Sequence, residues 1–93
     1  MHSSTRYKQN PSVVFTELDG DVALFHSDTC DYLVLNETGS SIWEALASQP
    51  TLSELCDIMQ RDYAVSREDC IADLDAWLKA ALEKHVVMAI QSA

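Results

Sequence analysis

Apolar and polar residues along this chain follow two periods, first of two and then of about 3.6. VVFTEL (Val13–Leu18) and DVALFH (Asp21–His26) are β-rich runs joined by Asp19-Gly20. That dipeptide suits a type I′ hairpin turn, whose two central residues both need positive φ. After Ser27-Asp28-Thr29 a third apolar run, Asp31–Leu35, completes an expected antiparallel meander of three strands. The pattern then changes. Asn36 or Thr38 is placed to cap a helix whose inward positions are Ile42, Trp43 and Leu46, and small Gly39-Ser40-Ser41 lets its first turn lie close to the sheet. Pro50 and the capping box Thr51-x-x-Glu54 open a second helix, apolar at Leu52, Leu55, Cys56, Ile58 and Met59 and ending near Tyr63. Ser66 opens the third and longest, with Glu68 and Asp69 at its positive end, running to about Lys84. Val86–Ile90 is an apolar tail, read as a final strand or an extended segment.

The third helix carries two apolar stripes where a surface helix needs one. Ile71, Leu74, Leu78 and Leu82 form the first, and Cys70, Trp77 and Ala81 form the second beside it. Either both stripes are core, or the second lines a partly open groove with Trp77 in its wall. In a meander the third strand lies at a sheet edge, with unpaired N–H and C=O groups that must be shielded or meet a partner strand.

Length and charge narrow the functional classes. Ninety-three residues with 47% apolar and 23% charged side chains make one globular domain. Residues 1–12 are expected to be a flexible arm and 13–90 the folded unit. The net charge is −9, and no Lys or Arg stands between Lys8 and Arg61. Such a chain repels phosphate backbones, which argues against nucleic acid as a partner. No apolar run is long enough to span a membrane, and the polar MHSSTRYKQN start lacks a signal-peptide core, so a cytoplasmic location is expected. Cys30, Cys56 and Cys70 form no C-x-x-C pair and read as reduced thiols.

The parts of an enzyme are missing. The sequence contains no G-x-S-x-G, no glycine-rich phosphate loop and no H-E-x-x-H. His2, His26 and His85 fall on separate segments, and Asp69 and Asp73 share a helix face but offer too few ligands for a metal. No catalysis, cofactor or metal is expected.

YLVLNETGSSIW (Tyr32–Trp43), TLSEL (Thr51–Leu55), DYAV (Asp62–Val65) and DLDAWL (Asp73–Leu78) together resemble the pyrroloquinoline quinone biosynthesis protein D-like family. Its members recognise the leader peptides of ribosomally made, post-translationally modified precursors. The resemblance covers roughly Val13 to Ile90. It implies an α+β, winged helix-turn-helix-like domain: a three-stranded antiparallel sheet followed by three helices. It further implies that a leader peptide adds antiparallel to the third strand and lies against the third helix. Here those positions are Asp31, Tyr32, Leu33, Val34 and Leu35, faced by Cys70, Asp73, Leu74, Trp77 and Ala81. The expected partners are a precursor leader and a separate maturation enzyme. The N-E-T-G-x-x-I-W form is most similar to proteins that serve a lasso-peptide leader peptidase; close relatives serve radical-SAM enzymes. A protein–protein adaptor subunit is the remaining alternative. A DNA-binding winged helix is disfavoured, because the third helix sets Arg67, Lys79 and Lys84 against Glu68, Asp69, Asp73, Asp75 and Glu83. The family often carries a Gly before the tail, where Lys84-His85 stand here.

Overall fold

The computed structural model describes residues 5–90. In chain order the elements are β1 (Arg6–Gln9), β2 (Val13–Leu18), β3 (Asp21–His26), β4 (Tyr32–Leu35), α1 (Glu37–Ala45), a 3₁₀ turn (Leu46–Ser48), α2 (Leu52–Asp62), α3 (Arg67–Glu83) and β5 (Val87–Ile90). Strands β2, β3 and β4 form the expected antiparallel meander with β4 at one edge. Asp19 and Gly20 both take positive φ, 53° and 90°, as the hairpin requires.

The expected arm is corrected in part. Arg6–Gln9 is a strand that pairs antiparallel with the tail β5, from Arg6↔Ile90 to Gln9↔Val87. Further contacts fasten it: Tyr7 N–H donates to Pro50 O at 3.0 Å, and Gln9 Nε2 donates to Trp43 O at 2.8 Å. The expectation for residues 1–4 lies outside the described residues. Strand-forming power here comes from backbone partners far away in sequence, which outweigh the low β propensity of a polar segment.

Each helix begins where its capping residues demand. Asn36 Oδ1 accepts from Gly39 N–H at 2.8 Å, so Asn36 is the N-cap of α1. At α2 the full capping box is present, with Thr51 N–H donating to Glu54 Oε1 and Glu54 N–H to Thr51 Oγ1. The Thr51 N–H, and after it the Arg6 guanidinium, hold the Glu54 carboxyl below its ordinary pKa. Ser66 caps α3.

The core lies between the inner face of the sheet and the three helices. Trp43, Leu46, Leu55 and Cys56 are completely buried, and the ring of Phe15 meets Trp43 edge to face at 5.5 Å. Helix α3 buries Cys70, Leu74, Leu78 and Ala81, mixing the two expected stripes. Ile71 is exposed and Leu82 half-buried, because the helix turns the Cys70 side toward Cys56 on α2.

One buried hydroxyl joins three elements. Ser40, in the first turn of α1, accepts from Val22 N–H of β3 at 2.8 Å and donates to Leu35 O of β4 at 3.3 Å. Its hydroxyl therefore completes the last rung of the β3–β4 ladder. Ser40→Ala would leave a buried N–H without an acceptor. We expect a loss of roughly 1–3 kcal/mol in denaturant unfolding.

At the other end of the fold, α3 closes in a Schellman motif: His85 N–H donates to Leu82 O and Val86 N–H to Ala81 O, both at 3.1 Å. His85 takes the left-handed conformation, φ 61°, at the position where glycine is favoured. His85→Gly relieves that backbone and should raise stability by about 1 kcal/mol, read as a higher unfolding midpoint.

Candidate functional site: the β4 edge and the cleft along α3

β4 is four residues long and, among the described residues, hydrogen-bonded on one side only. Antiparallel pairs alternate between residues that bond across the ladder and residues whose N–H and C=O point away from it. The register is Val22↔Leu35, Ala23↔Val34, Leu24↔Leu33 and Phe25↔Tyr32. His26 N–H donates to Asp31 O at 2.9 Å, and Val22 N–H points at Leu35 through the Ser40 hydroxyl. Both ends of the alternation agree, so Leu33 and Leu35 bond to β3. The N–H and C=O groups of Tyr32 and Val34 face the open edge.

The turn into β4 is organised around His26, which is buried. Its Nδ1 accepts from Asp28 N–H at 3.2 Å and from Thr29 N–H at 3.4 Å. The imidazole proton is thereby assigned to Nε2, which has no hydrogen-bond partner among the described residues. Thr29 Oγ1 donates to Asp31 Oδ2 at 3.0 Å and sets the start of the strand.

Side chains of β4 divide by face. Leu33 and Leu35 turn inward toward α3, while Tyr32 and Val34 are exposed on the outer face. Between β4 and α3 lies a narrow cleft of about 80 Å³ lined by Leu33, Leu35, Trp77, Ala80, Ala81, Lys84 and Val86. It opens at the start of the strand into a second hollow of about 150 Å³, where Asp31 and Tyr32 meet Leu24, Leu33, Lys84 and Val86. Beyond Trp77 is a wider apolar hollow of about 360 Å³ among α1, α2 and α3, lined by Thr38, Ile42, Met59, Tyr63, Val65, Cys70, Asp73, Leu74 and Trp77.

Of the ten site residues expected from sequence, six fall beside one another in this arrangement. Leu33 and Leu35 share the cleft with Trp77 and Ala81, and Asp31 and Tyr32 stand at its mouth. Val34 presents only its backbone to the edge. Cys70, Asp73 and Leu74 belong to the wide hollow, where Cys70 and Leu74 are core residues and Asp73 is exposed. Trp77 lines both spaces. It sits over Gly39, where a Cβ would stand 3.4 Å from Trp77 Nε1 and 3.2 Å from Asn36 Oδ1. Ala80, Lys84 and Val86 were missed. The spacing Trp77, Ala80, Lys84 is i, i+3, i+7, so the first two missed residues could have been found by extending the Trp77 stripe.

Among the described residues no cluster of His, Cys, Asp and Glu could hold a metal. Burial pushes the Cys70 thiol up to about 11, the reverse of a nucleophile's shift. Also among the described residues, no helix is long and apolar enough to cross a membrane.

A three-stranded antiparallel sheet followed by three helices, with α3 laid along the free strand, is an α+β fold of the winged helix-turn-helix-like class. The sequence matches the family described as coenzyme PQQ synthesis protein D (PqqD) over residues 21–87, and the chain belongs to that family. Among solved structures it is similar to TbiB1 in complex with the TbiA(beta) leader peptide. The two are 31% identical, with 86% of this chain and 93% of that one covered and a TM-score of 0.81. It also shares the fold of a lasso peptide synthetase B1 complexed with the leader peptide, at 20% identity, 88% and 96% coverage and a TM-score of 0.78. No curated protein matches the sequence.

The thiols give a direct check of the packing. Cys30 is exposed, whereas Cys56 and Cys70 are buried. A chromogenic disulfide reagent at pH 8 should therefore titrate one thiol rapidly in the folded protein and three in denaturant.

Proposed function

We propose that this chain is a non-catalytic recognition module that captures the leader segment of a ribosomally made precursor peptide. The leader adds as an antiparallel strand to β4, with alternate side chains in the cleft beside α3. The observation that carries this reading is the pair of outward N–H and C=O groups on Tyr32 and Val34, directly beside an apolar cleft walled by Trp77. Backbone bonding to such an edge supplies affinity, and the cleft supplies selectivity. The similarity to TbiB1, whose structure contains a leader peptide, supports the same occupant here.

The module hands its cargo to a separate maturation enzyme. We assign that enzyme to the lasso-peptide leader peptidases on the Asn36–Trp43 signature, with a radical-SAM peptide-modifying enzyme as the counter-outcome. The outer face of the sheet adjoins the β4 edge and aligns Val14, Phe25 and Tyr32 across three strands, all exposed. An apolar patch of this kind is suited to docking on the enzyme.

The test is a fluorescence-polarisation titration with the labelled leader half of the precursor peptide encoded beside the gene. Wild-type protein should bind saturably. Val34→Pro removes an edge donor that β3 does not use, and should weaken binding tenfold or more while leaving the fold intact by circular dichroism. Trp77→Ala should cost about 2 kcal/mol of binding. Folded Val34→Pro protein binding at full strength would rule out strand addition at this edge. If wild-type protein binds no neighbouring leader, the adaptor reading takes its place.

A further inference from the structure

The cleft has electrical polarity. Lys84 is one of six Lys and Arg residues in a chain of net charge −9. It lines both spaces along β4, and it is the one basic residue among the described residues that lines them. The ion pairs among the described residues are Arg6–Glu54, Arg67–Asp57 and Lys79–Asp75, so Lys84 has no anionic partner among those residues. Asp31, which lines the cleft mouth with Lys84, accepts from Thr29 Oγ1 through its Oδ2 and makes no ion pair with Lys84. At the far end, beyond Trp77, the charged residue in the wall of the wide hollow is Asp73. The cleft thus runs from a free cation beside Tyr32 to an anion beside Thr38.

We propose that Lys84 is a specificity-determining residue that binds an acidic side chain of the incoming peptide, and that Asp73 pairs with a basic one, so that charge order sets the direction and register of the bound strand. This rests on the strand-addition reading above. α3 lies antiparallel to β4: Lys84 neighbours Asp31 and Tyr32, Trp77 neighbours Leu35, and Asp73 neighbours Thr38. A strand antiparallel to β4 therefore enters near Asp73 and leaves near Lys84. Lys84 stands eleven positions after Asp73, a helical rise of about 16 Å. An extended chain covers that distance in about five residues. The occupant that fits is a peptide segment with a basic residue four to six positions before an acidic one and apolar side chains between them. The reverse order would bring like charges together at both ends, which disfavours parallel binding.

The experiment is a charge-reversal cycle on the leader titrated above, at low salt. Each acidic residue of that peptide is replaced in turn by Lys, and each peptide is titrated against wild-type protein, Lys84→Glu and Lys84→Met. Lys84 is exposed at the end of α3, so these variants keep the fold, which circular dichroism confirms. Lys84→Glu should weaken the native leader about fivefold and Lys84→Met by less, both losses shrinking as salt is raised. One peptide, reversed in the half that leaves the cleft, should bind Lys84→Glu better than the native leader does. Unchanged binding by Lys84→Glu, with Val34→Pro still inactive, overturns the role of Lys84 and leaves strand addition standing. Equal loss for every peptide without rescue also overturns it. Failure of the wild-type protein to bind removes both proposals together.

Discussion

The geometry of the β4 edge depends on the hydroxyl of Ser40. Four residues of strand, paired on one side, are too few to hold themselves extended. Ser40 fixes their C-terminal end by standing between Val22 N–H and Leu35 O. The Asn36 cap turns the chain immediately into α1, and Gly39 lets that helix start beneath Trp77. The His26 turn fixes the N-terminal end. The edge is therefore pre-organised by side-chain bonds at both ends, and a peptide that pairs with it meets a strand already in place. The ordering cost that weakens many strand-addition complexes falls mainly on the peptide.

An open edge is also a hazard, since it pairs with any extended chain, including another copy of itself. Three features limit that risk here. β4 is short, its inner side chains are committed to the cleft, and the protein carries a net charge of −9. Like-charged copies repel over the Debye length, whereas a peptide with a basic residue does not. The acidic composition is thus compatible with selective use of an edge that would otherwise aggregate.

Much of this architecture was legible along the sequence, and the exceptions have physical causes. Asp19-Gly20, Thr51-x-x-Glu54 and Ser66 act through local backbone geometry, so the hairpin and the starts of α2 and α3 could be read directly. The edge position of β4 followed from the meander. Strand β1 could not be read, because RYKQ has neither apolar alternation nor β-branched residues, and its partners Val87–Ile90 lie at the opposite end of the chain. The face that α3 would bury was also hidden, since two stripes of similar apolarity compete and only the packing against α2 chooses Cys70 over Ile71. Around the cleft, the edge placement of β4 was legible, and the division of α3 residues between a narrow cleft and a wide hollow was not. That division is made by the bulk of Trp77, a tertiary effect that helical spacing does not encode.

The pairing of β1 with β5 has a consequence for how such a unit can be used. Arg6 and Ile90 lie side by side, so these two positions near the ends of the described segment meet on a two-stranded ribbon separate from the β2–β3–β4 sheet. A body built this way behaves as a cassette. It could be spliced into a surface loop of a larger polypeptide with both joints at one place, leaving the β4 edge unaltered.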